Sequence, residues 1–195
     1  MTRVLLVDDH LHSRRETHKI LTGGGYDVVG EAASGTAVAG MIQQTAPHVV
    51  LMAVGLSDLD GISAAQQIMA AQPTPIILLT SHHDSKTVRR ATAAGVMGYL
   101  VKPLRPEELR PSIELALAHF QEFVTLREEN ANLKKTIEAR KVIEKAKGIL
   151  MENQGYSEAE AFSLIKRQSM NLRKPMKEIA EALILSEAVS RTGKS

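Results

Sequence analysis

Cysteine is absent from the 195 residues, and so is tryptophan. Without a thiol, disulfides, thiolate metal centres and cysteine nucleophiles are all excluded. Aromatic residues make up only 3% of the chain. No apolar run approaches the roughly 20 residues needed to span a bilayer. The apolar run Val4 to Val7 near the N-terminus meets two acids at once and is too short for a signal peptide. No Ser/His/Asp or His/carboxylate constellation appears, and the seven histidines are scattered. These absences predict a soluble, cytoplasmic protein that is not an enzyme, has no small-molecule substrate and makes no membrane contact.

Charge is unevenly placed. The net value is +2, but residues 1–120 carry 10 basic and 11 acidic side chains, whereas residues 121–195 carry 14 and 11. Between 140 and 177 nine basic side chains stand against four acidic ones. That local surplus points to an anionic partner.

The first 105 residues alternate short apolar runs with stretches of helical length. The runs 3–7, 26–32, 49–52, 76–80 and 98–101 read as strands, several apolar throughout as in a parallel sheet covered on both faces. Stretches 11–22, 36–44, 61–71 and 85–94 read as helices, with glycines at the joins. The alternation predicts a doubly wound α/β domain with a five-stranded parallel sheet. From Pro106 the pattern is helical only. Leu126, Asn130, Leu133 and Ile137 follow a 4-3-4 spacing, a short coiled-coil seam with a polar register residue, which predicts a homodimer. Beyond it, three helices joined by tight turns are expected. Gly155 suits a C-cap and Ser157 an N-cap, and the expected apolar stripe includes Ala146, Leu150, Phe162, Ile165, Met170 and Ile179. The predicted division is 1–120, a linker helix 121–138, a small helical module 139–188 and a disordered tail 189–195.

Ligands of parallel α/β sheets bind at the carboxyl ends of the strands. The first strand ends in Asp8 and Asp9, the third in Ala53, the fourth in Thr80 and the fifth in Lys102 followed by Pro103. The two acids suit Mg²⁺, and Lys102 and Thr80 suit the oxygens of a phosphoryl group. What the arrangement lacks is a nucleophilic carboxylate.

On Asp8, Asp9, Thr80, Lys102, Pro103 and the loop `GLSDLDG`, residues 1–120 resemble the receiver domain of two-component response regulators. The resemblance implies a phosphoryl-accepting Asp at position 53, where this chain has Ala53, and a switch aromatic at Tyr99. Ser57 stands where the family usually has proline. Alanine implies that the usual site cannot be phosphorylated and that Mg²⁺ binding is weakened by the lost ligand. Either phosphorylation has been lost in a natural receiver, or the acceptor has been replaced. Asp58 and Asp60 lie beyond the strand and are poor substitutes. A sensor histidine kinase is the partner this resemblance implies.

The stretch `ARKVIEKAKGILMENQGYSEAEAFSLIKRQSMNLRKPMKEIAEAL` resembles the ANTAR module of AmiR- and NasR-type transcription antitermination regulators. The resemblance implies binding of RNA hairpins. Arg140, Lys141, Lys145, Lys147, Arg167 and Lys174 then supply phosphate contacts, and Ser169 reaches base edges. With Phe162 read as core, stacking on an aromatic platform is not expected. Two other classes fit less of the sequence: a phosphorylation-independent protein-interaction adaptor, and a DNA-binding response regulator.

Overall fold

The computed structural model describes residues 1–81 and 85–192, the last four of these by backbone alone. Five parallel strands, β1 (Arg3–Val7), β2 (Asp27–Ala32), β3 (Val49–Ala53), β4 (Ile76–Thr80) and β5 (Gly98–Val101), form one sheet in the order β2-β1-β3-β4-β5. Between them run α1 (Leu11–Gly23), α2 (Val38–Thr45), α3 (Gly61–Ala71) and α4 (Ser85–Ala93). Each expected strand and helix is present, with ends within two residues of those read from the sequence. β3 and β4 are buried at every position, as strands covered on both faces must be.

Strand alternation sorts the core into two layers. Leu5, Val7, Val50, Met52, Ile76 and Leu78 face α2, α3 and α4 through Ile42, Ile62, Ile68 and Ala91. Val4, Leu6, Val49, Leu51, Ile77 and Leu79 face α1 and the start of the next helix through Leu21, Leu109, Ile113 and Ala116. The chain reverses direction across the sheet between β1 and β3, so Asp8 and Ala53 end neighbouring strands at the switch point where such sheets bind ligands.

Helix α5 runs without a break from Pro106 to Gln154. The sequence predicts a long helix from Pro106 and a separate helical module from 139, but α5 continues across 138 without a boundary. The reason is compositional: after Pro111 no proline or glycine interrupts until Gly148, and one helical glycine costs only about 1 kcal/mol. The chain separates into two compact units between Val124 and Thr125. In the second unit Gly155 takes φ +69° just past α5, and Ser157 caps α6 (Glu158–Leu172) in a reciprocal capping box with Glu160. Helix α7 spans Met176–Thr192. It therefore occupies part of the stretch expected as a disordered tail, and residues 193–195 lie outside those described. Ala146, Leu150, Ala161, Ile165, Ile179 and Ala180 form the buried centre of this unit. Phe162 and Met170, expected in that core, are exposed instead. Among the described residues no helix is long and apolar enough to cross a membrane.

Candidate functional site

Two groups of side chains carry chemistry, one in each unit. In the first, Asp8 is fully buried at the end of β1. Its Oδ2 accepts from Lys102 Nζ and from Ser13 Oγ at 2.7 Å, and its Oδ1 accepts from the His10 amide at 3.1 Å. A buried carboxylate is tolerable only when so bonded. Asp9 is partly buried, with Oδ1 2.8 Å from His10 Nδ1. Burial pushes its pKa up. The His10 hydrogen bond and charge, with a bond from Ser57, outweigh that and hold it below the usual carboxylate range. Donor atoms of Asp8, Asp9 and His10 lie within 4.8 Å of one another, a spacing that suits a divalent cation. His10 was not singled out by sequence reasoning, and Ser57 only as a departure from the family's usual proline. A histidine directly after paired acids at a strand end is the signal that could have found the first.

Ala53 is buried at the end of β3, and with His10, Thr80, Ser81, Thr87 and Lys102 it lines a cavity of about 350 Å³. The structure thus brings together Asp8, Asp9, Ala53, Thr80 and Lys102, as predicted from the strand ends. Tyr99 is 49% exposed and borders a small cleft with Thr80, Thr87, Val88 and Ala91.

The loop after β3 is fixed by its acids. Asp58 accepts from Ser34 Oγ at 2.7 Å, Gly35 N at 2.9 Å, Thr36 N at 3.1 Å and Thr36 Oγ1 at 2.9 Å. The Ser34 bond first, then the two amides, hold its carboxyl far below the usual range. Asp60 caps α3 through Ser63 and pairs with Arg90. Both acids serve the loop, and neither replaces a carboxylate at position 53.

Gly61 donates its amide to Val54 O at 2.8 Å, and an added Cβ would stand 2.1 Å from the Ala53 carbonyl oxygen. The atoms it would meet are all backbone of Ala53 and Val54, which cannot shift cheaply. Gly61→Ala is therefore expected to destabilise the first unit by about 3 kcal/mol, at the upper end of overpacking effects. Urea unfolding measures it, and a midpoint equal to wild type would mean the loop steps aside freely.

The second group is the set of cations on α5, on α6 and at the C-cap of α6. Arg140, Lys141, Lys145, Lys166, Arg167 and Arg173 are exposed, and among the described residues none of them makes an ion pair. Lys166 was not picked out by the sequence reading. Lys147 is a correction: it is 6% exposed, and its Nζ lies 2.9 Å from Glu144 and 2.7 Å from Glu158. The bonds to Glu158 and then Glu144 raise its pKa. It clamps α5 to the start of α6 and has no ammonium to offer a phosphate. Lys174 pairs with Glu178 at 3.1 Å. Ser169 is likewise engaged, since its hydroxyl donates to the Lys174 carbonyl at the α6–α7 turn. Leu126, Asn130, Leu133 and Ile137 are all exposed along α5.

Comparison with known proteins agrees with this division. Residues 4–114 match the response regulator receiver domain, and residues 131–184 match the ANTAR domain. The transcriptional regulatory protein PdtaR of Mycobacterium tuberculosis is 38% identical over 93% of this chain and 89% of its own length. The signal receiver domain of a modulated diguanylate cyclase from Desulfovibrio desulfuricans G20 is 31% identical, with a TM-score of 0.58 over 62% of this chain and 97% of that domain. The receiver domain of NarL from Mycobacterium tuberculosis is 28% identical, with a TM-score of 0.55 over 62% of this chain and 96% of that domain.

Proposed function

Because the chain belongs to the response regulators that join a receiver domain to an ANTAR domain, we propose that it binds RNA hairpins through its second unit and acts in the cytoplasm as a transcription antiterminator. The observation that carries this reading is the set of six exposed cations on the ANTAR unit, Arg140, Lys141, Lys145, Lys166, Arg167 and Arg173, none of which makes an ion pair among the described residues. Surface cations left uncompensated keep a strong field for an anionic backbone.

The receiver works in this proposal without chemistry of its own. Ala53 offers no oxygen to a phosphoryl donor, so acetyl phosphate or a sensor histidine kinase would leave the chain unmodified. Mg²⁺ fits Asp8 and Asp9 but is weakened, because one Asp8 oxygen already serves Lys102 and Ser13 and position 53 adds no ligand. When bound, the cation would screen the acids against an incoming anion. Ala53 also favours a second reading, in which the receiver docks a protein partner independently of phosphorylation. A homodimer through α5 would present two RNA-binding units at once.

The test is fluorescence anisotropy over a salt series with hairpin RNA, scrambled hairpins and duplex DNA. Each phosphate contact contributes a log–log slope of about −0.7 for single-stranded RNA. Arg167→Gln is expected to weaken all hairpins alike and flatten the slope by about 0.7. Lys147→Met is expected to leave the slope unchanged, because that ammonium already serves two glutamates. Equal affinity and equal slope for duplex DNA and hairpin RNA would sink the RNA reading.

A further inference from the structure

We propose that Phe162 is a stacking platform for an unpaired base, with Lys166 one turn along α6 to take a flanking phosphate and Arg173, about three turns along, to take one further down the strand; this rests on the RNA reading above. Helix α6 packs through Ala161 and Ile165, both fully buried, while Phe162 is 43% exposed. Lys166 stands one turn further on, on the same flank, and Arg173 follows at the C-cap of α6 with φ +52°. All three are exposed.

A single exposed apolar side chain is ordinary on any surface. Phe162 differs in its company. The second unit contains two aromatic residues, Phe162 and Tyr156, and neither is used in its core. Tyr156 directly precedes the Ser157 cap of the same helix. The acids of that helix end are already committed: Glu158 to Lys147 and Glu160 to Ser157. What is left facing solvent is a phenyl side chain with Lys166 one turn away and Arg173 at the end of the same helix, which complements a ligand that is flat, aromatic and anionic. A second copy of this chain is a poorer occupant, since a self-complementary contact would bring the same cations onto the same surface. Unpaired loop nucleotides meet both requirements, because sequence-tolerant RNA recognition rests on bases splayed onto aromatic rings beside a charged backbone track.

Stacking is worth about 1–3 kcal/mol per base by alanine substitution, which is roughly a 5- to 150-fold change in affinity. The chain has no tryptophan, so Phe162→Trp installs a lone fluorophore at the platform. The full-length protein would be titrated with a pool of RNA hairpins with randomised loops, and with their stems as blunt RNA duplexes. The expected result is that Trp emission is quenched by the hairpins and not by the duplexes. Phe162→Ala and Phe162→Leu are both expected to weaken hairpin binding by roughly 5- to 150-fold at an unchanged salt slope, while Lys166→Gln flattens the slope by about 0.7. Circular dichroism of each variant establishes that the helices persist.

Wild-type hairpin binding with a silent Trp and full affinity in Phe162→Ala overturns the platform and leaves the RNA reading intact. Wild type that binds no hairpin removes both. A Phe162→Leu variant as tight as wild type would assign the ring to packing, and a change of assembly mass in Phe162→Ala without RNA would assign it to a contact between copies; either outcome overturns the proposal.

Discussion

Ala53→Asp is expected to turn an inert chain into one that takes a phosphoryl group from acetyl phosphate in the presence of Mg²⁺. The place for the new carboxylate is at hand, since the methyl of Ala53 borders a cavity of about 350 Å³ that Thr80 and Lys102 also line. A carboxylate oxygen there would attack phosphorus, the bond from phosphorus to the acetyl oxygen would break, and acetate would leave. Lys102 and Thr80 are placed to hold oxygens of the group that arrives. Wild type, with no oxygen at position 53, is expected to show no adduct, and intact-mass spectrometry distinguishes the two. The variant should also differ in stability. Three carboxylates at 8, 9 and 53 would share one ammonium, so its melting temperature should rise with Mg²⁺ more steeply than that of wild type. A variant that stays unmodified, with a melting temperature indifferent to Mg²⁺, would mean that the site has diverged at more than one position.

Much of this site was legible because strand ends are. Once apolar runs fix the strands, the residue after each run is placed at the carboxyl edge, and Asp8, Ala53, Thr80 and Lys102 follow without any knowledge of side-chain contacts. Contacts between distant segments were not legible. Asp58 reads as one more loop acid, yet it binds Ser34, Gly35 and Thr36, more than twenty residues away in sequence. Lys147 reads as one more cation of a basic helix. Its partner Glu144 stands at the i,i+3 spacing that could have flagged it, whereas Glu158 belongs to another helix and left no local trace. Phe162 was misplaced for a different reason. With Ala161 and Phe162 adjacent, at i+4 and i+3 spacing to Ile165, helical periodicity admits both to the core face, and both were expected there. The structure chooses Ala161, fully buried against Ala146 and Ala180 in the same centre, where small residues set the packing.

Leu133→Asp is expected to convert a dimer into a monomer. Leu133 is 63% exposed on α5, and Leu126 and Ile137 are more than half exposed on the same 4-3-4 row. In one chain this row has nothing to pack on among the described residues, and it is narrow, as a coiled-coil seam is. Against a second copy each leucine would enter a hole on the facing helix, and Asn130 would fix register at some loss of stability. A carboxylate at position 133 would be buried twice in such a dimer, once from each chain, at several kcal/mol each. In the monomer the same residue stands in water, so the substitution should leave the fold alone. Sedimentation is expected to show a wild-type dimer at micromolar concentration and a Leu133→Asp monomer with unchanged helix content. Repeating both runs with hairpin RNA separates a constitutive seam from one that forms on RNA. Wild type that stays monomeric in both conditions would remove the seam, and under the proposed function each ANTAR unit would then have to reach its hairpin one chain at a time.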